Sequence, residues 1–90
     1  MATKLADVVP FADRVLAVVK NIPASTTLTY QQVAALAGSP NAYRAVGTIL
    51  RRNYDPAIPC HRVIRSDGSL GQYNRGADKK RELLKREGAL

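Results

Sequence analysis

A chain of 90 residues with one cysteine, Cys60, and one histidine, His61, has no covalent or metal staple to fold around. A disulfide within the chain would need a second thiol. A structural zinc site needs about four Cys, His or carboxylate ligands, and two adjacent residues cannot supply the usual spaced pairs. The fold must therefore rest on apolar burial alone. At roughly 100–200 residues per domain, residues 1–90 are expected to form a single domain. A chain of this size buries only about 60–65% of its unfolded surface, so the core is thin. Hydrophobic residues make up 46% and charged residues 23%, which excludes a disordered or collagen-like chain.

Proline and glycine divide the chain into short helical pieces. Pro10 suits a helix start, since its missing N–H would be unpaired there. Phe11, Val15, Leu16, Val19 and Ile22 recur at helical spacing, predicting a helix over about residues 9–21 that Pro23 stops. Thr26–Thr29 reads as an extended connector or a small strand. Tyr30–Ala37 reads as a two-turn helix with Thr29 as N-cap. Gly38-Ser39-Pro40 is a turn of about three residues, and Asn41–Arg52 a further helix with Asn41 as N-cap. Two short helices joined in this way fit a helix-turn-helix. Ser66–Ser69 is a tight turn, and Leu70–Tyr73 is short and extended. Ala77–Glu87 is a last helix, with Leu83 and Leu84 inward and Lys79, Lys80, Arg81, Lys85 and Arg86 on the solvent side. The expected fold is mainly α: a small, winged-helix-like helix-turn-helix domain with a short β hairpin or extended segment.

Charge points to the partner. Lys and Arg number 14 against 7 Asp and Glu, a net +7. Residues 1–40 hold three basic residues against two acidic; residues 41–90 hold eleven against five. Such a balance favours a polyanion, nucleic acid before a membrane surface. The longest apolar runs have five residues, against the roughly 20 of a membrane span. Asp7 and Asp13 interrupt the stretch that a signal peptide would need. A cytoplasmic protein, nucleoid-associated in a cell without a nucleus, is the expectation.

The chemistry lies in Ile58-Pro59-Cys60-His61-Arg62-Val63-Ile64. A free thiol is only about 7% thiolate at pH 7.4, so a nucleophilic Cys60 needs a base, a cation or a helix N-terminus. Neighbours in a helix or strand point apart, so His61 would reach the thiol through a water rather than directly. Its other ring nitrogen would want an acid to fix the tautomer. Asp55, Asp67, Asp78, Glu82 and Glu87 are the candidates.

This heptad resembles the active-site signature of the methylated-DNA–protein-cysteine methyltransferases, the alkylguanine DNA alkyltransferases. Phe11…Val15…Ile22-Pro23 resembles the opening of that family's carboxy-terminal domain. Thr29-Tyr30-Gln31-Gln32-Val33-Ala34 resembles its first helix-turn-helix element, and Tyr43-Arg44-Ala45-Val46-Gly47 its recognition helix. Ser66–Tyr73 and Leu83–Gly88 resemble the elements after the cysteine. The resemblance runs in unbroken order over about residues 9–88 and matches the carboxy-terminal domain alone.

The resemblance implies that Cys60 takes an alkyl group from the 6-oxygen of guanine and keeps it as a thioether. Each molecule would then react once, as a monomer, without cofactor or metal, on double-stranded DNA containing alkylated guanine. It implies His61 as the base acting through water, Glu87 as the acid holding it, and Asn53 as the brace before the active site. Tyr30 matches a tyrosine near the target phosphate. Arg44 matches an arginine that fills the stack vacated by the flipped base, with Ala45 and Gly47 beside it on the DNA-facing helix. Tyr73 matches the tyrosine whose hydroxyl favours departure of guanine. Asn74 and Arg75 stand where the family prefers small residues, so Arg75 is expected to narrow the alkyl pocket. Competing readings are a non-catalytic lesion binder, whose relatives place Trp at the cysteine position, and a transcription regulator with Cys60 as redox sensor. The joint presence of Cys60, His61, Asn53 and Glu87 favours alkyl transfer.

Overall fold

The computed structural model describes residues 9–71 and 73–90. Gln72, in the expected extended segment Leu70–Tyr73, lies outside these residues. The described residues form α1 (Phe11–Lys20), β1 (Leu28–Thr29), α2 (Tyr30–Leu36), α3 (Tyr43–Arg51), a 3-10 turn (Cys60–Arg62), β2 (Val63–Ile64) and α4 (Ala77–Arg86). The mainly helical class expected from the periodicity is the one observed.

Each helix starts and stops for local reasons. Pro10 precedes α1 with φ −55° and ψ 146°, and its carbonyl accepts the first helical bond from Arg14 N–H. Thr29 caps α2 through a complete capping box. Its Oγ1 accepts from Gln32 N–H at 3.0 Å, while Gln32 Oε1 accepts from Thr29 N–H at 2.8 Å. Gly38, at φ +94°, ends α2 with Ser39 N–H donating to Ala34 O, a left-handed cap that a side chain would oppose.

Asn41 does not cap α3. Pro40 opens a turn that closes with Ala42 N–H on Ser39 O, which leaves Asn41 inside the turn and makes Ala42 the N-cap, without a side-chain bond. The helix-turn-helix connection is correspondingly longer than the expected three residues, running over 37–42.

Val15, Val19 and Ile22 of α1 and its exit, Val33, Ala34 and Ala37 at α2, Val46 and Leu50 of α3, and Cys60 and Val63 close one core. Of the two forms expected for the extended part, no hairpin pairs β1 with β2. The strands run parallel, with Leu28 opposite Val63 and Thr29 opposite Ile64. α2 and α3 lie between them in sequence, and parallel strands require such a crossover. The pairing ties the 3-10 turn to the N-terminus of α2.

Lys80 does not line the solvent side of α4. It is fully buried, as is Leu84, while Leu83 is half-buried. Lys80, Leu84 and Glu87 follow one another at spacings of four and three, so they share the inward face of the helix and its exit. The aliphatic stem fills the core, and Nζ donates to Val63 O at 2.6 Å beneath the ring of Tyr30.

Candidate active site

Pro59 sets the entry. With φ −79° and ψ 69° it centres a three-residue turn in which Cys60 N–H donates to Ile58 O at 2.9 Å. A single 3-10 turn follows, and it sends the first of three successive side chains to Asn53 and the next two to Glu87. Cys60 and His61 are both buried.

Cys60 Sγ accepts a hydrogen bond from Asn53 Nδ2 at 3.1 Å. Asn53 stands just beyond the C-terminus of α3, where its Oδ1 also receives Asp55 N–H. Both ends of the amide are thus engaged, with the donor end on sulfur. Burial pushes the Cys60 thiol up, and the Asn53 bond, Arg75 and Lys80 oppose that rise.

His61 and Arg62 both turn to Glu87, the residue that caps α4. His61 Nε2 lies 2.9 Å from Glu87 Oε2. Arg62 grips the same carboxylate with two parallel bonds, Nε to Oε1 at 2.9 Å and Nη2 to Oε2 at 2.6 Å, and sends Nη1 to Ile22 O at 2.7 Å. The Arg62 fork, helped by His61, holds the Glu87 carboxyl well below its usual range, at about 2. An ionised carboxylate only accepts, so Nε2 carries the proton and Nδ1 of neutral His61 is left as the acceptor. Among the five acids open from sequence, Glu87 is the one bonded to His61. Its position past the end of the helix leaves it free to fold back on the 3-10 turn. Ser25, at φ 69°, donates its hydroxyl to the Glu87 carbonyl and secures that corner.

A cavity of about 470 Å³ opens on the thiol, lined by Tyr30, Arg44, Gly47, Arg65 and Tyr73 as well as Cys60. Gly71 shapes its rim: at φ +73° its backbone passes so close that a Cβ would meet Arg65 Cγ at 3.3 Å and Tyr30 Oη at 3.4 Å. A smaller cleft of about 140 Å³ reaches Cys60 from the side of Asn53, His61, Tyr73 and Arg75. The Tyr73 ring stands edge-on to His61 with centroids 6.4 Å apart.

The structure therefore gathers Cys60, His61, Glu87, Asn53, Tyr30, Arg44, Tyr73 and Gly47 around one centre. Ala45 is exposed on α3 and does not line the larger cavity. Nor does Arg75: its guanidinium donates to Tyr54 O at 2.8 Å and edges the smaller cleft. Three basic residues of the site were assigned no role from sequence. Arg62 was hidden by its place inside the motif, Arg65 by its place beyond it. Lys80 was hidden by its charge, although the helical period already placed it with Leu84. Desolvation lowers Lys80 to about 8, partly countered by the nearby thiol, and burial raises Tyr30. Among the described residues no group of three or more His, Cys, Asp or Glu is placed to hold a metal ion, and no helix is long and apolar enough to cross a membrane.

Comparison with known proteins points the same way. A family profile described as 6-O-methylguanine DNA methyltransferase, DNA binding domain, matches residues 10–89. The chain is 53% identical over 76 residues to the methylated-DNA–protein-cysteine methyltransferase of Methanothermobacter thermautotrophicus, covering 83% of this chain and 42% of that protein. It superposes on Mycobacterium tuberculosis OGT, solved in complex with DNA, with a TM-score of 0.83 and 39% identity over 88% of this chain and 49% of the other. It also matches Schizosaccharomyces pombe Atl1, solved with damaged DNA containing O6-carboxymethylguanine, with a TM-score of 0.78 and 27% identity over 96% of this chain and 80% of that one. The chain thus spans less than half the length of the first two proteins.

Proposed function

The chain belongs to the family of the 6-O-methylguanine DNA methyltransferase DNA-binding domain, and from that premise we propose that it repairs alkylated DNA by moving the alkyl group from the 6-oxygen of guanine onto Cys60. The observation that carries the proposal is the convergence on one buried thiol of an amide donor, a carboxylate-held imidazole and a cavity large enough for a purine.

The 6-oxygen of guanine lies inside the duplex stack, so the nucleotide has to be extruded, at a cost of a few kcal/mol that is lower for a mispaired base. Arg44, exposed near the start of α3 and lining the cavity, occupies the vacated stack in this reading. Tyr30 and Gly47 line the path to the thiol. The thiol proton passes through a water to Nδ1 of His61, and Glu87 stabilises the resulting imidazolium. Cys60 sulfur then attacks the alkyl carbon, an S–C bond forms as the C–O bond breaks, and the guanine oxygen leaves with the electron pair. Tyr73, which lines both cavities, donates its hydroxyl to the departing base in this reading. The thioether is stable, so one molecule carries out one transfer.

The likeness to Atl1, which this chain matches over a greater share of length than it does OGT, favours a second reading: a lesion-binding protein without transfer. Intact mass spectrometry after incubation with a methylguanine oligonucleotide separates the two. A gain of one methyl group on the Cys60 peptide supports transfer. Retained binding with unchanged mass supports the binder.

A further inference from the structure

The loop after Tyr73 carries two polar side chains, and both are spent on the backbone at and just beyond the end of α3. Asn74 Nδ2 donates to Asn53 O at 2.5 Å and to Arg51 O at 3.2 Å. Arg75 Nη2 donates to Tyr54 O at 2.8 Å. The last carbonyls of a helix have no partner within it, and a C-terminus left to water frays. Here a loop from the far end of the sequence takes up Arg51 O, the last carbonyl of α3, and the Asn53 and Tyr54 carbonyls just beyond it. The residue so gripped is Asn53, whose amide faces the Cys60 sulfur. The chain of contacts is continuous: Tyr73 lines the cavity, Asn74 holds the Asn53 backbone, and the Asn53 side chain holds sulfur.

We propose that Asn74 is a positioning residue for the Cys60 thiol, acting through Asn53, with Arg75 as a second strut on the same segment. The loop that borders the cavity and the hydrogen bond that prepares the nucleophile then move together. A base seated against Tyr73 would meet a thiol whose donor is already in place. The proposal rests on Cys60 being the reactive group, but its test does not depend on alkylguanine being the substrate.

The experiment is the rate of Cys60 alkylation by iodoacetamide, measured as a function of pH in wild type, Asn74→Ala, Asn53→Ala and the double variant. Thermal unfolding is recorded alongside to show that each is folded. Lys80 on α4, Arg75 on the loop, His61 beside the thiol and Tyr30 on α2 stay in place throughout, so their charges are common to the series. Asn74→Ala is expected to lower the rate at neutral pH about three- to tenfold and to move the half-reaction pH upward by about half to one unit, the size of one hydrogen bond to sulfur weakened. On the Asn53→Ala background the same substitution is expected to move neither. An unshifted profile in folded Asn74→Ala overturns the proposal, and so does a full shift that persists without the Asn53 side chain. Should Asn74→Ala fail to fold, Asn74→Ser, which keeps a shorter donor, is expected to shift the profile in the same direction by less, and no shift there is equally fatal. Failure of methyl transfer from DNA with these thiol profiles intact would count against the repair reading alone.

Discussion

Glu87 carries three bonds to two cationic or protonated partners, and its stability contribution has a defined sign. Its carboxyl lies at about 2 in the fold against 4.5 otherwise, so the contribution is complete above about 4.5 and lost as pH falls to about 2. Glu87→Gln is expected to cost about 1.5–3 kcal/mol at pH 7 and to flatten the loss of melting temperature between those pH values. A variant that loses stability with acid as steeply as wild type would show that Glu87 is not the titrating group. In alkyl transfer, His61→Ala and Glu87→Gln should be non-additive, because both act on one proton path; multiplicative rate losses in the double variant would separate them. Lys80 has the opposite sign at the other end of the scale. Held at about 8 rather than 10.5, it is deprotonated in the fold while the unfolded chain is still protonated, so the fold gains stability from it as pH rises across that window. The thiol and Tyr30, both raised, work against this gain. The stability of wild type relative to Lys80→Met isolates the lysine and is expected to increase over that range. A constant difference would mean that Lys80 keeps its proton.

At the scale of elements, α2 and α3 divide the labour. α2 is anchored: its capping box joins the strand pair, and Val33 and Ala34 are fully buried. Thr29→Ala is expected to lower global stability by about 1 kcal/mol, read from chemical denaturation, since it frees one N–H and loosens the β1–α2 joint. α3 presents its N-terminal half outward, with Tyr43, Arg44 and Ala45 exposed, and roots its other half through Val46 and Leu50. An exposed side chain on a rooted helix is suited to displacing a base without moving the scaffold. Arg44→Ala should therefore slow transfer from duplex DNA far more than reaction with free alkylated base, which has no stack to leave. Equal losses on the two substrates would assign Arg44 to the cavity rather than to the duplex.

At the scale of the molecule, the charge is concentrated after residue 40, and it surrounds the cavity as Arg44 and Arg65 at its edge. Binding to undamaged duplex is expected to be sequence-tolerant and strongly salt-dependent. With about four to six phosphates neutralised, log K should fall against log salt with a slope of roughly −4 to −5. A slope near zero would remove the electrostatic basis for a nucleic-acid partner.

What the sequence by itself determined is what depends on neighbours along the chain. The apolar period of α1, the Thr29 cap of α2, the turn at Gly38 and the turn at Ser66–Ser69 are local, and each was legible because helical and turn energetics act over three to five residues. The motif around Cys60 was legible through its resemblance to a family signature. The tertiary structure decided everything that required two distant segments to meet. By the residues alone five acids could have served His61, the resemblance implied Glu87, and the return of α4 onto the 3-10 turn brings that carboxylate to it, with Arg62 as its second partner. Lys80 reads as a surface charge until the ring of Tyr30 and the carbonyl of Val63 close over it. Arg75 reads as an obstruction in the pocket until Tyr54 O draws its guanidinium away. Parallel pairing of Leu28–Thr29 with Val63–Ile64 could not be read at all, because a two-residue strand carries no periodicity and its partner lies beyond two helices. A side chain's burial and bonding depend on which surfaces pack together, and in a thin core that packing is set by contacts far apart in the chain.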